Sequence, residues 1–375
     1  MAPQRVRGCL LLAGVFSVLM TSLALAAAPQ PHTTSSTPAG IKWHPGHYVW
    51  LDRSDIASPT TQSKHLAQID AMGRESTIRG VQLLVLWSDL EGDQGDYSQG
   101  FAILDKYIAE LSKYEKRLML GVLPGIFGSR CAGLNCDLTD FWPAYIVNGS
   151  NYGISELNNS KGVYARVWQP ATMDRYIALY QALGNRYDSY PNVEMVVAGE
   201  TAIDIKSGVD GFSSASYEAQ LKRFYVATRA AWPHTQLRLA ANYLTPDSLM
   251  EDLYAACAQV DCAIGGPDVI PGRAIQANQI FSGAIGGIDY RGVLPWIAEI
   301  QSPELGGNHG TFTAQQLYTD AMTNMQASYY VWYQNGWLGG PAQRWTTGIL
   351  PFIRSINGQT ITTCPSSFRS RCITN

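Results

Sequence analysis

Residues 193–200 read VEMVVAGE, an apolar run that ends on a carboxylate. Its apolar positions are consecutive and lack the three-to-four spacing of a helix face, the pattern of a strand buried on both sides. A second stretch, VLPWIAEI (293–300), repeats the design and ends on Glu299 where the first ends on Glu200. Strands buried on both faces belong to parallel sheets covered by helices, because each crossover lays a helix on the sheet. These two stretches therefore place the chain in the α/β class, with a glutamate at the C-terminal end of each of two inner strands.

Working outward, six further stretches read as strands of the same kind. They are HYVWL (47–51), VQLLVL (81–86), RLMLGVLP (117–124), LRLAANY (237–243), the centre of DCAIGGPDV (261–269) and YYVWYQ (329–334). Between them lie segments with helical periodicity, at 60–72, 101–116, 172–190, 214–231, 246–260, 273–283, 313–329 and 341–356. Eight strands alternating with helices admit a closed barrel or an open doubly wound sheet. No glycine-rich phosphate loop follows the first strand, which removes the usual reason for a dinucleotide fold. The expectation is a single-domain (β/α)8 TIM barrel over 41–358, with a tail at 359–375. One connection, 125–169, shows no regular periodicity and is long for a loop. It carries Trp142, Tyr145, Tyr152, Trp168 and a close cysteine pair, and reads as an ordered wall of a cleft. Two sequons, Asn148-Gly-Ser and Asn158-Asn-Ser, accept glycans only in a host that glycosylates.

The N-terminus has Arg5 and Arg7 before CLLLAGVFSVLM, then TSLALAAAP with small residues near Ala26 and Ala28. That layout is a secretory signal peptide over 1–28; a retained membrane anchor is the alternative reading. Residues 29–40, rich in Pro, Ser and Thr, read as a flexible leader. The expected location is secreted or periplasmic. Beyond Cys9 in the signal peptide, the cysteines fall into three close pairs, and in an exported chain these read as local disulfides Cys131–Cys136, Cys257–Cys262 and Cys364–Cys372. Zinc is the competing reading, weakened by the lack of histidines beside any pair. The last bridge would pin the tail.

A net charge of −3 gives no electrostatic footing for nucleic acid. Low charge density with 20 Tyr and 10 Trp suits a neutral, aromatic-lined ligand. In a barrel the loops after all strands share one face, so Glu200 and Glu299 would meet across the mouth despite their separation in sequence. Two facing carboxylates are what acetal hydrolysis needs, one to protonate the leaving oxygen and one to act at the anomeric carbon. Neither a metal nor a cofactor is called for. Other candidates for substrate contact are His47, Trp87, Asn242, Tyr243, Asp268 and Trp332, each near a strand end; Glu304, close behind Glu299, is an alternative partner.

LWSDLEGDQGDYSQGFAILDKYI (86–108), VVAGET (196–201), WIAEI (296–300) and YYVWYQNG (329–336) together resemble the superfamily of retaining glycoside hydrolases on (β/α)8 barrels with glutamates after strands 4 and 7. The resemblance implies Glu200 as acid/base, Glu299 as nucleophile and Trp332 as the floor under the sugar at the cleavage point. It implies a carbohydrate polymer or oligosaccharide as partner. The long 125–169 wall slightly favours internal cleavage; an exo-acting pocket closed at one end by the same wall is the alternative. The departure is Gly199, where the commonest form of the pattern has an asparagine that binds a sugar hydroxyl; Asn242 is the candidate substitute. A non-catalytic carbohydrate-binding protein on the same barrel is the alternative.

Overall fold

In a computed structural model, the structure describes residues 40–51, 55–158, 161–267, 269–272, 279–280, 282–301, 312–333 and 345–374. The expected signal peptide, nearly all of the leader, Asp268, Glu304 and most of the expected helix 273–283 lie outside them. Eight parallel strands form a closed barrel: β1 Gly46–Trp50, β2 Ile78–Leu86, β3 Arg117–Leu123, β4 Val193–Glu200, β5 Gln236–Ala240, β6 Ala263–Gly266, β7 Trp296–Ile300 and β8 Tyr329–Tyr333. Each pairs with its successor in sequence, and β8 returns to β1 with Tyr329 opposite Gly46 and Tyr333 opposite Trp50. Every expected strand is present.

Alternation along the strands sorts side chains into two cores. Tyr48, Trp50, Leu84, Met119, Met195, Val197, Ala240, Ile297, Tyr329 and Val331 fill the barrel. Their neighbours Val49, Leu83, Val85, Leu120, Val196, Leu239, Tyr330 and Trp332 face the surrounding helices. Those helices include α1 Pro59–Gly73, α2 Ser98–Ser112, α3 Pro170–Tyr187, α4 Ser214–Ala231, α5 Asp247–Gln259, α6 Ala314–Asp320 and α7 Leu350–Ser355. Proline opens α1 and α3, where its missing N–H costs nothing. Ser213 and Thr313 cap α4 and α6 by accepting from the backbone N–H three residues on. The helical path after α6 ends at Gln326, whose φ of 53° is left-handed.

The 125–169 connection is ordered, as expected, but contains regular structure that the sequence did not betray. Gly125–Phe127, Gly162–Ala165 and Ile154–Glu156 form a three-stranded antiparallel sheet, joined by a short helix at Ala144–Asn148. Elements of three to five residues are too short to display a period. Trp142 and Trp168 are buried beneath this sheet rather than lining a surface.

At the opposite end, Ile41–Lys42 pairs in parallel with Cys372–Ile373, so both ends of the described chain close the barrel floor. Trp43 packs edge-on against Tyr329 and Phe368 there and donates its indole N–H to the Thr362 carbonyl at 2.8 Å. His44 belongs to this floor, its Nδ1 2.8 Å from the buried Glu194 carboxylate. The three disulfides pair as expected, 131–136, 257–262 and 364–372. Bridges of this kind mark an oxidising, extracytoplasmic setting. Among the described residues no helix is long and apolar enough to cross a membrane.

Candidate active site

The site depends on an irregularity in β4. Val197 pairs with Arg238 of β5, but Glu200 pairs with Ala240, so three steps on β4 oppose two on β5. This bulge holds the extra residue at Ala198–Gly199. Val197 points into the barrel, so in a regular strand Glu200, three positions on, would point at the helices. The bulge turns it to the mouth instead. Gly199 is required at the turn: a Cβ there would lie 2.5 Å from Pro124 Cγ and 2.8 Å from the Tyr164 hydroxyl oxygen. The place where the family pattern carries an asparagine is thus filled by groups from β3 and from the 125–169 insertion.

Glu200 is half-buried, and its Oε2 accepts from Asn242 Nδ2 at 3.4 Å. Asn242 is held by its own N–H, which donates to Thr201 Oγ1 at 2.9 Å. Tyr217 of α4 donates to the Glu200 carbonyl at 2.6 Å, and its oxygen lies 3.4 Å from that of Tyr164. The Asn242 expectation is therefore placed beside Glu200. Tyr243 follows, half-buried, with its carbonyl 3.5 Å from Thr201 Oγ1.

Glu299 projects from β7 into the barrel top and is 4% exposed. Its Oε2 forms an ion pair with Arg238 Nη2 from β5, and Arg238 Nη1 donates to Gln82 Oε1 of β2 at 3.0 Å. A buried carboxylate needs a counter-charge, and this guanidinium, itself fully buried, supplies it. Glu200 and Glu299 line one cavity, together with Leu84, Leu123, Phe127, Tyr164, Arg238 and Pro267.

Three expected contact residues lie elsewhere. Trp332 is fully buried on the helix-facing side of β8. Its indole N–H donates to His47 Nδ1 at 2.9 Å, and its ring packs near Phe352. His47 is on the outer side of β1, fully buried among Tyr318, Tyr330 and Trp332. Burial pushes its pKa down to about 4, so it sits there as a neutral ring. Neither reaches the mouth, because the inward positions of β1 and β8 are those of opposite parity. The aromatics that do point inward near the strand ends are Trp50 and Tyr333, edge to face at 5.4 Å. Trp87 is also fully buried, donating at 2.8 Å to Glu91 Oε2 in the layer under the loops. Glu91 is committed to that bond and to Arg175 Nη2 at 2.7 Å.

Arg238, Tyr164 and Phe127 were not anticipated. Arg238 left a signal, a lone cation inside the apolar run QLRLA. Tyr164 and Phe127 left none, since they sit in the segment without periodicity. Among the described residues no group of three or more His, Cys, Asp or Glu is placed to hold a metal ion.

Fold and site together define a class of molecule: a (β/α)8 barrel with carboxylates from β4 and β7 opening on one cavity at its C-terminal mouth. No protein-family model and no curated protein matches the sequence. Solved structures match the fold. A β-1,4-D-mannanase from Cryptopygus antarcticus aligns over 87% of this chain and 95% of its own, with a TM-score of 0.53 and 10% identity. Endo-glycoceramidase II from Rhodococcus sp. aligns over 85% and 81%, with a TM-score of 0.53 and 12% identity. A β-glucanase from Saccharophagus degradans aligns over 86% and 94%, with a TM-score of 0.52 and 10% identity. At such identities the likeness is one of fold, and it is the fold that the sequence resemblance implies.

Proposed function

We propose that this protein is a glycoside hydrolase that cleaves oligo- or polysaccharides with retention of anomeric configuration, exported to act outside the cytoplasm. The observation that carries the reading is the shared cavity of Glu200 and Glu299. In a barrel, residues at the C-terminal strand ends carry the chemistry, and two carboxyl groups on one opening suit glycosidic cleavage. The fold neighbours named for β-glucan and β-1,4-mannan hydrolysis support β-linked substrates.

The two environments suit different roles. Glu299, aimed by Arg238 and withdrawn from water, attacks the anomeric carbon and forms the covalent glycosyl-enzyme. Glu200, half-buried at the rim beside Asn242, gives its proton to the leaving oxygen and then takes one from the water that releases the sugar. In this reading Asn242, which donates to Glu200 Oε2, holds a sugar hydroxyl next to Glu200, the task of the asparagine absent at 199. The reading favours internal cleavage, with the ordered insertion after β3 forming one wall of an extended cleft.

The test is sugar release from a panel of α- and β-linked glycans by the wild type, Glu200→Gln and Glu299→Gln. Turnover in the wild type that both substitutions abolish supports the reading. Undiminished turnover in either variant removes that residue's role, and glycan binding with no wild-type turnover assigns the barrel to binding alone.

A further inference from the structure

Next to the catalytic cavity lies a second, which shares Leu123, Gly125 and Phe127 with it. The two are thus consecutive chambers, with Phe127 at the doorway. Phe127 ends the first strand of the insertion sheet and stands edge to face on the buried Tyr164 ring, centroids 6.3 Å apart. Its ring is nonetheless 42% exposed. A large aromatic ring held at a cavity junction by a rigid neighbour, one face open to water, has the form of a stacking platform for the apolar face of a sugar.

The lining of the second chamber adds a charge argument. Asp55, Asp89 and Asp140 contribute to it, with Ser88 and Phe141, and no described lining residue is cationic. Asp89 is buried and engaged with the backbone N–H groups of Leu86 and Ala57, at 3.0 and 3.1 Å. Asp55 and Asp140 are exposed. In the catalytic chamber Arg238, the one cation among the described lining residues, is taken up by Glu299. Carboxylate groups on a substrate chain would meet the like charge of the exposed Asp55 and Asp140, with no cation among the described lining residues to offset it.

We propose that the second chamber continues the substrate cleft and that Phe127 is its platform, so that the enzyme binds several consecutive sugars of a chain free of anionic substituents. This rests on the glycosidase reading and extends it to the substrate's length and charge.

The experiment compares wild type, Phe127→Ala and Phe127→Trp on a homologous series of neutral oligosaccharides of increasing length. It reads kcat/KM, with calorimetric binding to Glu299→Gln backgrounds in parallel. With Phe127→Ala the loss deepens with chain length, to about tenfold for the longer members, and Phe127→Trp restores it. An equal loss at every length, or none, overturns the platform. A carboxylated oligosaccharide of the same backbone is cleaved and bound at least tenfold less well than its neutral counterpart, and Asp55→Asn with Asp140→Asn narrows that gap. Equal handling of the two overturns the charge argument. An enzyme active on glycans but indifferent to chain length refutes this inference alone. If calorimetry detects binding of no neutral oligosaccharide, the chamber proposal falls as well.

Discussion

At the scale of single residues, the pair that matters most is Glu299 and Arg238. Both are buried, and each is the other's counter-charge. Breaking a buried pair leaves one ion uncompensated at a cost of about 3–5 kcal/mol, whereas removing both ions costs far less. Arg238→Met should therefore destabilise the fold by about that amount. It should also lower turnover about a hundredfold by releasing the orientation of the carboxylate. Adding Glu299→Gln should restore much of the stability and none of the activity. Denaturant unfolding of the two single variants and the double variant checks this, and additive losses would show that the pair is not coupled. Glu200 and Glu299 were legible because a carboxylate closing an apolar strand is costly to bury without a task. Arg238 showed the same mark in QLRLA, but its pairing with Glu299 across the barrel has no sequence signature.

At the scale of elements, the β4 bulge and strand parity decide what reaches the mouth. Alternation in HYVWL and YYVWYQ is plain, yet parity depends on register with neighbouring strands, which local sequence does not encode. That is why His47 and Trp332 read as mouth residues and lie instead against the helices. The placement of His47 has a consequence for pH. Its folded pKa of about 4 lies below its ordinary 6.5, so between these values the unfolded chain binds more protons. Its contribution to stability is fully present above about pH 6.5 and is lost as pH falls through about 4, up to about 3 kcal/mol. Asp89 opposes this: burial, with Asp55 beside it, raises its carboxyl to about 7, so its contribution is lost as pH rises from about 4 to 7. The two slopes separate in a variant. The stability difference between wild type and His47→Gln should shrink as pH is lowered from about 7 to 4, measured by urea unfolding at each pH. Parallel curves would show that His47 is not held neutral.

At the scale of the whole molecule, the eight-fold βα alternation was readable because buried parallel strands are continuous apolar runs. The insertion's small sheet and the closing of the floor by residues 372–373 on 41–42 were not, since both rest on contacts distant in sequence. The disulfides span loops of five to eight residues, 257–262 joining the end of α5 to β6 and 364–372 tying the tail. Closing such short loops stabilises by about 2 kcal/mol each. Reduction should lower the melting temperature while far-ultraviolet circular dichroism still reports the barrel at room temperature, and collapse of that signal under mild reduction would contradict local clamping. The central claim is that Glu299 attacks the sugar and Glu200 serves it from the rim. Proton NMR of the first product formed from a cleaved glycan tests it most directly. The account predicts an anomer of the same configuration as the bond broken, turning to the mixture only by later mutarotation; a first product of inverted configuration would contradict it.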